Sequence, residues 1–439
     1  MGSGHEMMIR KKLKIGIFVS FMVLVASFKT TFADQKELSL DDCVNLAVEN
    51  NPTVKIAESS KEKALWGVRQ AEAGKGLQVD LVQEDERTNA PPTWVNALAY
   101  PNVPTYNLFV NKVELTLPIY SGGKLETKIK LAKLDQKISI INTETVKQQL
   151  ILDVTTAYYN ALQANNLLQI AGESTADFAS HLKNVQAEYE AGTFAMADVL
   201  QTKVRLANAQ DNQMKAQNSY DLAIYNLNNL LQLPLHSELK LTKTFTLQPY
   251  PLSLDDSIAL SLKNQPELAK AEANLTIAQK QIILAKSENK PTVSMTADHV
   301  WKSEKYPGTE YQNWTIGVTV RMNVFDDGMS KSEIKQAESG VEIAAEQVQQ
   351  ERDALTLEVS RAYLSMKEAE KRRETNQVAV EHATLDFKLA QERYNAGIGI
   401  NLDAIDAELA LTQARINYTQ ALYDYDVDKA QLDKAIGII

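Results

Sequence analysis

Tyr394-Asn395-Ala396-Gly397-Ile398-Gly399-Ile400-Asn401-Leu402-Asp403-Ala404-Ile405-Asp406 breaks an otherwise continuous helical pattern near the C-terminus. The break has a twin 205 positions earlier. There Tyr189-Glu190-Ala191-Gly192 leads into Ala197-Asp198-Val199, so Tyr189 falls on Tyr394, Gly192 on Gly397 and Asp198 on Asp403. Glycine ends a helix where a left-handed residue is wanted, and a polar residue is expected to restart the next helix. Two matched turns therefore predict two matched helical hairpins, with tips at Gly192 and Gly397.

The duplication runs through the whole chain after its N-terminal segment. Leu38-Ser39-Leu40-Asp41-Asp42 recurs as Leu252-Ser253-Leu254-Asp255-Asp256, and Asn51-Pro52 as Gln265-Pro266. Further on, Ile119-Tyr120 matches Val324-Phe325, Gly123 matches Gly328, and Ala157-Tyr158 matches Ala362-Tyr363. The expected division is a first unit over 34–232, a linker over 233–251 and a second unit over 252–439. Each unit opens with Ser and Asp three apart, the spacing of a capping box, so these acids read as helix caps rather than as a catalytic pair. Pro52 and Pro266 then start a second helix where the missing donor costs nothing.

Strands come next in each unit. Val113, Leu115, Leu117 and Ile119 alternate with Lys112, Glu114 and Thr116. In the second unit Trp314, Ile316, Val318, Val320, Met322 and Val324 alternate with Thr315, Thr319, Arg321 and Asn323. Such alternation predicts strands with one apolar and one polar face. Weaker partners are expected around Leu77 to Glu84 and Thr292 to Val300. The intervening loops carry Pro91-Pro92, Trp94 and Tyr100-Pro101 in one unit and Tyr306-Pro307-Gly308 in the other. Strands of roughly 10 residues cross a bilayer at a tilt.

After the strands the period changes to that of a helix. Leu131, Leu134, Ile138 and Ile141 step by three and four, as do Ile334, Ala337, Val341, Ala344 and Val348, giving a coiled-coil-like stripe. No proline occurs from Gly123 to Gly192 or from Gly328 to Gly397. At 1.5 Å per residue each run predicts a helix about 100 Å long, with return helices from Ala197 to about Leu231 and from Leu402 to about Ala435.

The net charge of −10 argues against binding a phosphate backbone. Cys43, the one cysteine, excludes an internal disulfide. Arg10, Lys11, Lys12 and Lys14 precede the apolar run 15–28 and Thr31-Phe32-Ala33, which reads as a signal peptide over 1–33, with 1–6 as a cloning remnant ahead of Met7 and Met8. Ser121-Gly122-Gly123-Lys124 fails as a phosphate loop, because Leu125 follows the lysine and Pro118 takes the place of the first glycine. The histidines at 5, 181, 236, 299 and 382 lack metal-ligand spacing and read as surface or packing residues. With no nucleophile elbow, cofactor loop or ligand cluster, no catalytic, cofactor-binding or metal residues are assigned and no enzyme is expected. Asp403 and Asp406 share a helical face. Repeated around an axis, such carboxylates form the like-charged rings that favour cations.

Taken together, the leader, the duplicated helix–strand–strand–helix plan and the two Y-x-x-G…D-[VAI] tips resemble the TolC family of outer-membrane channels over essentially the whole mature chain. The resemblance implies an α/β membrane protein: a homotrimer with four strands per subunit in a shared 12-stranded β-barrel, continued by a long coiled-coil helical tunnel in the periplasm. It implies an exit channel of a tripartite efflux or type I secretion system. The partners it implies are a periplasmic membrane-fusion (adaptor) protein and an inner-membrane pump of the RND or ABC type, docked at tips marked by Gly192, Asp198 and Gly397. The family's closed entrance uses a tyrosine, an arginine and two aspartates; Tyr394, Asp403 and Asp406 match, whereas Gly399 stands at the arginine's position. Cys43 lacks a lipobox, so no lipid anchor is expected. The alternative reading, a soluble periplasmic coiled-coil adaptor or tether, predicts no membrane sheet.

Overall fold

The computed structural model describes residues 37–89, 105–193, 195–242 and 250–439. The expected signal peptide, the Pro91 to Pro101 loop and residues 243–249 of the expected linker lie outside them. Among the described residues each half of the chain builds one two-residue strand, two short helices, two long strands, one very long helix and a return helix. The first half contains β1 (Glu37–Leu38), α1 (Leu40–Asn50), α2 (Pro52–Ala73), β2 (Gln78–Thr88), β3 (Tyr106–Tyr120), α3 (Lys124–Glu190) and α4 (Met196–Leu231). The second contains β4 (Lys240–Leu241), α5 (Leu254–Asn264), α6 (Pro266–Ser287), β5 (Thr292–Ser303), β6 (Tyr311–Arg321), α7 (Met329–Asn395) and α8 (Asn401–Ala435).

Local chemistry sets the boundaries. The Ser39 hydroxyl accepts from the Asp42 N–H at 3.2 Å, and the Asp42 carboxylate accepts from the Ser39 N–H at 3.1 Å. The Ser253 hydroxyl caps α5 in the same way. Gly123 and Gly328, both left-handed, turn the chain from strand into long helix. Both α3 and α7 are 67 residues long, hence about 100 Å each. The expected strand through Met322 and Val324 stops instead at Arg321. Its partner β5 begins only at Thr292, after Pro291, and Arg321 pairs with Thr292, so nothing remains for later residues to pair with. Asp326 then accepts from the N–H groups of Gly328 and Ser330, which starts α7.

The four long strands form one antiparallel sheet in the order β2-β3-β5-β6. Register puts Val79, Leu115, Ala297 and Ile316 side by side on one face. On the other face the neighbouring row is Asp80, Glu114, Asp298 and Thr315. The apolar face is bare: Leu81 is 78% exposed and Trp314 71%. Strands β2 and β6 each pair on one side only among the described residues, so the sheet has two open edges.

The helices pack as two antiparallel hairpins, α3/α4 and α7/α8, which also touch each other. At their waist β1 pairs in parallel with β4. The Tyr158 hydroxyl donates to Thr242 O at 2.7 Å and lies 3.2 Å from Leu38 O, tying that small sheet to α3. Beneath it Cys43, Val154, Tyr158, Leu227, Leu231 and Tyr423 form the largest core cluster. No helix among the described residues is long and apolar enough to cross a membrane.

Candidate functional site: the paired hairpin tips

The two tips close with the same backbone bonds. Gly192 N–H donates to Tyr189 O at 2.9 Å and Thr193 N–H to Glu188 O at 3.0 Å; Gly397 N–H donates to Tyr394 O and Ile398 N–H to Arg393 O, both at 3.0 Å. Gly192 has φ +81° and Gly397 φ +71°, the left-handed residue that a Schellman closure needs. The residue ahead of each return helix is not polar as expected. It is Ala195 in one tip and Ile400 in the other. In the first tip the Asp198 carboxylate takes the Ala195 N–H at 3.3 Å, the half of a capping box that needs no polar cap residue.

Asp403 and Asp406 are brought together, both exposed on one face of α8. They line a groove of about 450 Å³ shared with Asp386 and Arg393 of α7. Gly399 lines it too, and its φ is not left-handed. A Cβ there would stand 2.9 Å from Tyr394 N and 3.0 Å from the Arg393 carbonyl carbon. The turn thus leaves no room for a side chain at position 399, and the groove's guanidinium comes from Arg393.

Tyr394 is set apart from this groove. It is 3% exposed and packs with Val185, Val199 and Ala404, between the two hairpins. Burial, reinforced by Asp198 and Glu188, pushes its phenol up to about 12. Its ring meets His181 edge-on at 4.9 Å. The His181 Nε2 lies 2.8 Å from Asn401 Oδ1, and the Asn401 amide donates to Asp198 O at 3.4 Å. Burial holds His181 below the usual histidine range, against the Asn401 hydrogen bond. Asp198 thereby links the first tip to the second through its backbone carbonyl. Among the described residues no group of three or more His, Cys, Asp or Glu is placed to hold a metal.

His181, Arg393, Asn401 and Glu408 were not singled out from sequence, although a signal for them exists. At the 205-residue shift they face Asp386, Glu188, Met196 and Lys203, so each marks a place where the repeat is broken. Asymmetry between duplicated units is the trace of a contact made between them.

The sequence model for outer membrane efflux proteins matches residues 43–232 and 258–438. The alkaline protease secretion protein AprF of Pseudomonas aeruginosa is 22% identical, across 98% of this chain and 90% of its own length. The outer membrane protein TolC of Escherichia coli is 21% identical, across 89% of this chain and 80% of its own. The CmeC outer membrane channel of Campylobacter jejuni superposes with a TM-score of 0.80 at 18% identity, covering 91% of this chain and 85% of its own. By the family match over both repeats, and by a fold shared along nearly its whole length, the chain belongs to the outer membrane efflux protein family.

Proposed function

We propose that three copies of this chain form a passive exit conduit whose β-sheets close a twelve-stranded barrel and whose helices continue it as a periplasmic tunnel. One observation carries the reading. A sheet with a bare apolar face and two open edges is attached to helical hairpins about 100 Å long. An open sheet cannot sit in lipid, because its edge N–H and C=O groups find no partner there, and four strands cannot enclose a pore. Joining copies edge to edge removes both problems. A soluble adaptor would have no use for such a face.

The entrance of the conduit is the inner hairpin tip. Asp403 and Asp406, repeated around the axis, form carboxylate rings that favour cations, with Arg393 of the same groove available to neutralise or cross-link them when the mouth is shut. Tyr394 supports this tip from behind, as a buried strut against the outer hairpin. The exposed ends near Gly192, Asp198 and Gly397 offer docking positions for a periplasmic adaptor, which recruits an inner-membrane pump of the RND or ABC type. Energy and cargo selection then belong to the pump. The chain itself performs no catalysis.

Planar-bilayer recording of the purified protein tests the gate. Asp403→Ala with Asp406→Ala is expected to reduce cation-over-anion permeability several-fold. Unchanged selectivity would remove the two aspartates from the pore lining, and absence of any conductance in the unmodified protein would remove the channel.

A further inference from the structure

Between the hairpins, just behind the tip, lies a small, partly open space that the gate does not use. Asp177, Phe178 and His181 of α3 face Phe387 and Gln391 of α7 and Glu408 of α8 across it. Its volume for water centres is about 10 Å³, the room that one water needs. Glu408 is 3% exposed, and one carboxyl oxygen accepts from the Thr412 hydroxyl at 3.0 Å. The other, Oε2, has no hydrogen-bond partner among the described residues. A buried carboxylate with an unsatisfied oxygen is costly, and the usual resolution is a proton.

We propose that this cavity is a proton-binding site, in which Glu408 keeps the proton and hydrogen-bonds through it to one water, and that its charge state sets how firmly the inner hairpin is held against the outer one. The surroundings support the neutral form. Asp177 faces the same space, so a charge on Glu408 would meet a second carboxyl. Arg415, the cation that acts on both, donates to Glu173 at 2.8 Å and is already engaged. From α7 the cavity receives only the uncharged Phe387 and Gln391, with the neutral Tyr394 phenol beyond. From α4, Asp198 is tied to the site through its carbonyl, which accepts from the Asn401 amide.

Direction follows from the sign of each perturbation. Burial raises Glu408, opposed by the neighbouring Ser174 and Thr412 hydroxyls, and Asp177 raises it further. Burial also raises Asp177. Their contribution to the contact is complete below the ordinary carboxyl range and is lost as pH rises through their raised values. His181, lowered by burial, contributes fully above its ordinary value and loses that contribution as pH falls through its lowered one. The two groups loosen the hairpins in opposite directions of pH. Glu408 with Asp177 gives the limb lost on rising pH, and His181 gives the limb lost on falling pH.

Infrared titration of the full-length protein tests the site itself. The unmodified protein is expected to show protonated-carboxyl C=O absorption that bleaches as pH rises, and Glu408→Gln is expected to lose the Glu408 component of it, seen in the difference spectrum against the unmodified protein. Asp177→Asn removes the like charge, so bleaching should move to lower pH. A band unaltered in Glu408→Gln would overturn the proton site. Coupling to hairpin spacing rests on the gate reading and is measured separately, with spin labels at the exposed positions Leu200 and Leu402. Their separation should widen as pH rises through the raised carboxyl values in the unmodified protein, Glu408→Gln should lose that rising-pH widening while keeping the His181 limb, and His181→Gln should abolish only the limb on falling pH. Spacing that ignores pH would overturn the coupling even with the band present. Failure of the channel reading shows instead as absent conductance, which leaves the infrared result standing.

Discussion

Gly397 and Gly399 stand two residues apart and are glycines for different reasons. Gly397 has open space around its missing Cβ but needs φ +71°, whereas Gly399 has an ordinary φ and a backbone pressed against it at 2.9 Å. Asparagine distinguishes the two causes, since it tolerates the left-handed region but still carries a Cβ. Gly397→Asn is expected to cost well under 1 kcal/mol, and Gly399→Asn about 1–3 kcal/mol of local stability. Hydrogen exchange of amides 393–401 measures both, and equal protection in the two variants would contradict the steric account. The glycine at 397 was legible in the chain because the turn repeats at Gly192. The crowding at 399 was not, since it arises from the backbone of Arg393 folding back over it.

At the scale of elements, the helices are joined by a waist rich in tyrosine. Tyr158, Tyr159 and Tyr423 form a chain of rings with centroids 5.8 and 6.5 Å apart, and Asn166 donates to the Tyr423 hydroxyl at 2.8 Å. Burial pushes the Tyr158 and Tyr159 phenols up to about 12 and raises Tyr423 further. Raised phenols stabilise the packed waist fully below pH 10, their ordinary value, and that stabilisation is lost as pH climbs towards about 12. Circular dichroism at 222 nm should therefore show the helical domain losing structure across this window. Tyr159→Phe keeps the ring and removes one ionisation, so its midpoint should lie at higher pH; an unmoved midpoint would exclude that phenol from the transition. The rods themselves could be read from sequence because proline-free runs and an apolar stripe are local properties. The waist could not, because Tyr158 and Tyr423 lie in different units and their contact depends on how two hairpins meet. Likewise His181 read as a surface or packing residue, and its bond to Asn401 spans the two repeats.

For the whole molecule, the decisive asymmetry is between the two faces of one sheet. Ile316 is 65% exposed in the row with Val79, Leu115 and Ala297, while its neighbour Thr315 stands in the row with Asp80, Glu114 and Asp298. In the proposed barrel the first row faces lipid and the second faces water in the lumen. An arginine placed in lipid at mid-depth costs about 2–4 kcal/mol per copy, whereas the same side chain in the lumen remains hydrated. Three copies multiply that difference. Ile316→Arg is expected to abolish or severely reduce the membrane-assembled oligomer, read as the heat-modifiable band on a gel. Thr315→Arg should assemble normally and act on conduction instead, since a ring of added positive charge beside Glu114 and Asp298 opposes cations. Its single-channel record should show lower cation preference than the unmodified protein. The opposite outcome, with Ile316→Arg assembling and Thr315→Arg failing, would invert the sheet in the membrane, and with it the assignment of lumen, lipid face and pore.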